Sequence, residues 1–266
     1  MTIVTLHYQD LALAALLLLI DAGLSLYFRL GLERRLAIAA TRMVIQLLLV
    51  GLVLKALFAA QSAALTAAVL AVMVLFAGRE IAARQTRRFA DGWTYGIGTA
   101  SVAFAGIVVT LIALTTQIRP EPWYDPRYAV PLLGMILGNT MTAITLGLDR
   151  LLAAAARERA AIEARLALGH TFAEAAGGIV REAVRAALIP TINSMSAAGL
   201  VFLPGMMTGQ ILAGVDPIEA VKYQILIMFL IAGGSGLGVV VAVRVGRHRL
   251  TDARHRLRLD RLRDTP

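Results

Sequence analysis

The chain has 266 residues, 58% of them apolar and 16% charged, with a formal net charge of +9 and a mean hydropathy of +0.73. A membrane span needs about 20 apolar residues, so this composition furnishes seven spans and leaves little for a soluble core. An ordinary soluble domain, a disordered chain and a membrane barrel are excluded, the last because barrel strands alternate in polarity and give no long apolar runs. The excess of Arg would suggest nucleic acid in a soluble chain, but it is what the cytoplasmic loops of a membrane protein carry, and no nucleic-acid partner is expected. There is no cysteine, hence no disulfide and no thiolate metal site.

Seven apolar runs are long enough to cross, at 8–28, 36–58, 63–76, 94–116, 129–148, 187–212 and 218–243. The N-terminus, MTIVTLHYQD, lacks the basic segment of a signal peptide, so the first run reads as a retained span. His7, His170, His248 and His255 all fall outside the runs, which leaves no intramembrane histidine cluster. Of the 26 Lys and Arg residues, 22 gather on one side of this arrangement, and the other keeps only Lys55, Arg119, Arg127 and Lys222. That asymmetry predicts an N-terminus outside and a C-terminus inside. The whole chain then reads as one all-α membrane domain, a polytopic transmembrane helical bundle. The loop 117–128, with three prolines, reads as a stiff connector that holds Trp123 and Tyr124 at headgroup level. The basic tail 244–266 is expected to lie on anionic lipid, worth about 1 kcal/mol per cation near the surface.

The segment 149–186, between the fifth and sixth spans, is too charged to cross and too regular for a linker. Residues 149–168 (DRLLAAAARERAAIEARLAL) are strong helix formers, Gly169 follows where a helix stop belongs, and Thr171-Phe172-Ala173-Glu174 has the spacing of a capping box. Pro190 then marks the start of the sixth span. Helix, glycine turn, short helix and span describe a cytoplasmic elbow.

Glu163-Ala164-Arg165, Gly169 and Ile179 stand at the spacing of the E-A-A…G…I signature of ABC transporter permeases, although Arg181 and Glu182 occupy the place where Leu-Pro belongs. Arg42-x-x-x-Gln46-Leu47, Gly134-Met135-Ile136-x-Gly138-Asn139-x-Met141, Arg185 through Pro190-Thr191, Leu203-Pro204-Gly205-Met206-Met207-x-Gly209 and Asp216-Pro217-x-x-Ala220-x-Lys222-Tyr223-Gln224 follow in order. Together they resemble the Fet-type iron-export permeases of bacteria, relatives of plant aluminium-tolerance proteins, from the first span to about Val243. The resemblance implies a homodimer in the bacterial inner membrane. It also implies that Glu163, Ala164, Gly169, His170, Thr171, Phe172, Glu174 and Ile179 form the docking elbow for a separate cytoplasmic ABC ATPase. ATP and Mg would be bound by that partner, because this chain has no phosphate-binding G-x-x-x-x-G-K-[ST] and no cofactor of its own is expected. The chain itself is then not an enzyme.

Ionisable residues inside a span are costly and default to function. Asp21 and Arg42 stand at similar depth on adjacent antiparallel helices, with Gln46 one turn further, so a salt bridge between them is expected; the alternative is that Arg42 snorkels to the surface. Asn139, Met141, Asn193, Ser194, Met195, Met206, Met207 and Gln210 cluster in the fifth and sixth spans. Thioether and amide donors form a weakly coordinating path for a cation, although singly each could equally pack or hydrogen-bond between helices. Pro204-Gly205 interrupts the sixth span, which is tolerated only where the backbone is buried or faces water. No metal ligand set is assigned. Two other readings stay open: a permease for a nucleotide-sugar or other organic solute, and a regulator or scaffold that does not transport.

Overall fold

A computed structural model describes residues 8–264; His7 and the last two residues lie outside the described residues. The helices are α1 (Tyr8–Tyr27), α2 (Glu33–Ala60), α3 (Ala63–Ala83), α4 (Trp93–Ile112), α5 (Pro126–Arg157), α6 (Arg159–Ala167), α7 (Phe172–Ala175), α8 (Gly177–Ala197), α9 (Gly205–Leu212) and α10 (Pro217–Arg249). A π-helical segment, Ala113–Ile118, extends α4. The all-helical expectation needs one amendment: a two-stranded antiparallel ribbon pairs β1 (Arg87–Phe89) with β2 (Leu262–Asp264).

Six helices, α1–α5 and α10, are long and apolar enough to cross a membrane. The expected run 187–212 is not one helix. It begins inside α8, whose helix stops at Ala197, continues as a non-helical segment closed by a hydrogen bond from the Gly199 N–H to the Phe202 carbonyl, and resumes as the eight-residue α9. Gly199, at φ +83°, and Pro204, which lacks an amide donor, account for the break around the anticipated Pro204-Gly205 interruption. The third run extends well past its expected end at 76, to Ala83, because Arg79 and Glu80 are good helix formers that do not stop it.

The chain divides into two compact units, Met1–Gln61 with Leu212–Val215, and Ser62–Ile211 with Asp216–Pro266. In the first, α1 and α2 form a helical hairpin. The Ser25 hydroxyl donates to Glu33 Oε2 at 2.9 Å and accepts the Leu32 N–H at 2.9 Å, pinning a turn that Arg29 and Gly31 make with positive φ.

In the second unit α5 packs against α3, α4, α8 and α10. Its buried residues Leu133, Ile136, Ile144, Leu148, Leu151 and Leu152 recur at helical spacing and fill the core. Close approach depends on two glycines. A Cβ at Gly147 would lie 3.3 Å from Val239 and Val243 and 3.4 Å from Ala187, and one at Gly238 would lie 2.6 Å from Thr140 Cγ2.

The tail departs from expectation. α10 continues to Arg249, Leu250 is fully buried, and Leu257, Leu259 and Leu262 pack against the core. Asp252 gathers the returning chain: its Oδ1 accepts the amides of Arg254 and Arg256 at 3.0 and 3.1 Å, and its Oδ2 accepts the Arg256 guanidinium at 2.8 Å. The tail is therefore a folded part of the second unit, because its leucines have apolar surface to cover.

Candidate functional site

The elbow is built as the sequence suggests, with one change of boundary. α5 does not end at the membrane but runs to Arg157, so the expected helix 149–168 is two pieces broken at Glu158. α6 ends at Ala167 with Leu168 as its C-cap, Gly169 takes φ +91°, and α7 starts with a complete capping box. In that box the Thr171 Oγ1 accepts the Glu174 N–H at 3.4 Å, and the Thr171 N–H and hydroxyl each donate to Glu174 Oε2 at 2.8 Å. The Thr171 side-chain bond, joined by its backbone N–H, holds the Glu174 carboxyl below the usual carboxylate range. α8 follows at once, so Pro190 lies inside it rather than at the start of a span; its ring has no N–H to return to the Ala186 carbonyl.

The eight residues named for the elbow divide by direction. Phe172 and Ile179 are buried with Ile162 and Ala176 in the main core, where they anchor the elbow. Glu163, Ala164, Gly169, His170, Thr171 and Glu174 are exposed around the tip. Arg159 holds Glu163 at 2.8 Å, and Arg165 Nη1 donates to the Ala175 carbonyl at 3.2 Å, closing α6 onto α7. Leu168, absent from the expected set, is 80% exposed at the apex. Its signal was an apolar residue immediately before the helix-stopping glycine.

The second feature is a mostly apolar cavity of about 250 Å³ between α5, α8 and α10, into whose lining Asn139, Thr142, Thr191 and Ser194 bring polar groups beside Pro190 and Met228. Of the expected path residues, Asn139 and Ser194 meet here. Met141 packs against the core, Met206 packs against a second apolar cluster, and Asn193 and Met195 are exposed outside the cavity. Met207 is half-buried, and Gln210 keeps a buried Oε1 with no hydrogen-bond partner among the described residues. Thr142, Thr191 and Met228 were not anticipated, although Thr142 and Thr191 stand three residues from Asn139 and Ser194 and so share their helix faces.

The donors in the cavity are neutral. Asn139 Nδ2 donates to the Met135 carbonyl at 2.9 Å and Thr142 Oγ1 to the Gly138 carbonyl at 3.0 Å, which leaves the Asn139 Oδ1 and the hydroxyl lone pairs as acceptors. Among the described residues no group of three or more His, Cys, Asp or Glu side chains is placed to hold a metal ion. The arrangement suits brief contact with a solute, not tight retention.

The intramembrane charges are not brought together. Asp21 is exposed on α1 and forms no ion pair among the described residues. Arg42, exposed on α2, borders a shallow cleft with Thr41, Ile45 and Gln46. The expected bridge between Asp21 and Arg42 is not formed among the described residues.

Long apolar helices around a small neutral cavity, with a stiff polar elbow at one end, define a multi-pass membrane permease. The family model described as "Uncharacterised protein family (UPF0014)" matches residues 8–251, and the chain belongs to that family. It is 33% identical over 255 residues to the "Probable iron export permease protein FetB" of Escherichia coli (strain K12), covering 96% of each chain. It is 41% identical to the "UPF0014 membrane protein slr1647" of Synechocystis over 76% of this chain and 77% of the relative. The "Protein ALUMINUM SENSITIVE 3" of Arabidopsis thaliana is 30% identical over 87% of this chain and 82% of its own length. No solved structure matches.

Proposed function

We propose that this chain is the membrane-spanning subunit of an ABC exporter that moves a metal cation, iron, out of the cytoplasm on ATP hydrolysis by a partner subunit, and that it works as a homodimer. The cation bias of the loops supports an N-terminus outside, a C-terminus inside and seven crossings, with α8, the break and α9 as the sixth. The observation that carries the reading is the continuity of α8. Ile179 roots it in the elbow and Ser194 lines the cavity, on one unbroken helix, about 22 Å apart at 1.5 Å per residue. A movement imposed on the elbow is delivered to the cavity by that helix. The iron in the name of the Escherichia coli relative supports the substrate. The neutral donor set favours a second reading, a polar organic solute.

The test is co-purification with the ATPase encoded for it and measurement of ATP hydrolysis with iron, other metals and nucleotide-sugars. Iron stimulation is expected, with Leu168→Asp and Gly169→Val abolishing it while the protein stays folded. Stimulation by sugars alone selects the second reading. Normal iron stimulation in both variants refutes the elbow assignment.

A further inference from the structure

We infer that the junction of the β1–β2 ribbon with the end of α10 is a binding site for a phosphate group. The ribbon's register sets Arg88 directly opposite Arg263. Like charges so placed repel across a ladder. Their neighbours Phe89 and Leu262 turn to the opposite face and join the core, so the repulsion is not relieved by flipping the ribbon. Behind the ribbon is a cavity of about 240 Å³ whose walls include Arg249, Arg261 and Arg263.

The acids nearby balance these cations only in part. Asp260 also borders the cavity, but both of its oxygens are taken by Arg258, at 2.8 and 2.7 Å. That leaves Asp91 as the other carboxylate in the wall. Arg261 is fixed by donating Nη1 to the carbonyls of Arg249 and Thr251 at 2.8 and 3.0 Å. Arg249 is held in place without being satisfied. Its guanidinium lies 4.2 Å from the centre of the Trp93 ring, and its Nε is shut away from solvent with no hydrogen-bond partner among the described residues. α4 begins alongside, after Asp91 and Gly92 in the left-handed region and with no side chain capping it, so its positive end adds to the field. Unspent guanidinium donors around a small cavity match the oxygens of a phosphate, which Arg grips as a planar fork.

That phosphate is either a phospholipid headgroup or a soluble phosphate, and Trp93, 45% exposed at a helix end, suits both. Full-length protein in detergent and phosphate-free buffer would be titrated calorimetrically with inorganic pyrophosphate and, separately, with short-chain phosphatidylglycerol. Saturable binding of at least one probe is expected. Arg249→Gln and Arg263→Gln should each weaken it about fivefold, the value of one cation beside an anionic headgroup. Arg254→Gln, in the same tail but outside the cavity, should leave it unchanged. Should Arg249→Gln unfold, the exposed Arg263 decides alone. Binding of the lipid only identifies a headgroup site and binding of pyrophosphate only a soluble ligand. Absence of saturable binding to either probe, or an equal loss in Arg254→Gln and Arg263→Gln, overturns the inference.

Discussion

Replacing Gly238 with Ala should destabilise the second unit even though Ala is the better helix former. The new Cβ would stand 2.6 Å from Thr140 Cγ2, 3.1 Å from Ile144 Cδ1 and 3.4 Å from Ala105 Cβ, so α10 meets α5 and α4 at one point. Thr140 is fully buried and β-branched, with few rotamers into which it can retreat. Overpacking of this kind costs about 1–3 kcal/mol, set against a helix-propensity gain of about 1 kcal/mol. Gly236 provides the internal control, since nothing lies within 4 Å of its Cβ position. There only the propensity term remains, a gain of about 0.5–1 kcal/mol. Two identical substitutions two residues apart should therefore have opposite signs. Thermal unfolding of the detergent-solubilised protein, followed by loss of monodisperse material, reads the difference. A Gly238→Ala variant as stable as Gly236→Ala would refute the packing of α10 on α5 and α4.

Acid should loosen the tail. The Asp252 carboxyl is lowered from 3.8 to about 2, chiefly by the Arg256 guanidinium and further by the amides of Arg256 and Arg254. A carboxyl with a depressed folded-state value contributes stability that is complete above its unfolded value and is lost as the pH falls toward about 2. Trp93 fluorescence in a Trp123→Phe background should report that loss, and Asp252→Asn should flatten it; superimposable profiles would count against the tail's anchoring. In the cavity, Asn139→Leu removes an acceptor worth about 1 kcal/mol, so the iron concentration that half-saturates ATPase stimulation should rise about fivefold. Ser196→Ala, on α8 but outside the cavity, should not change it, and equal effects of the two would separate the cavity from the substrate path.

What the sequence made legible follows from the range of the forces involved. The capping box at Thr171 and the turn at Gly169 are decided within four residues, by one side-chain hydrogen bond and one positive φ, and both form as the spacing predicts. Membrane class was equally plain, since long apolar runs have no other solvent to occupy. The pairing of the tail is not legible because it depends on a partner strand far away in the chain: nothing in Arg-His-Arg-Leu-Arg-Leu-Asp names Arg87–Phe89. The alternation of Leu257, Leu259 and Leu262 with arginines was nevertheless a usable sign that one side of the segment is covered. The cavity was half legible. Polar type singled out Asn139 and Ser194, but helix phase sends Met141 into the core and turns Asn193 and Met195 outward, and phase across a proline-containing helix is fixed only by packing.

In the proposed function α8 is the element that joins the elbow to the cavity, so its seating matters. Its buried face is Ile179, Ala183 and Ala187, one large anchor at the root and then small side chains at four-residue spacing. Opposite them α5 offers Gly147, close to Ala187. Val180, Val184 and Leu188 flank that face and pack, partly buried, against the same core, so the seam is small along its centre and knobbed at its edges, and any movement of α8 has to shift those three side chains. At its far end α8 is not continuous with another helix but passes into a tight turn around Gly199, closed by hydrogen bonds from the Gly199 N–H to the Phe202 carbonyl and from the Val201 N–H to the Ala197 carbonyl. If α8 moves as the proposed function requires, Pro190, Thr191 and Ser194 are the side chains that it would carry past Asn139 and Thr142 in the cavity.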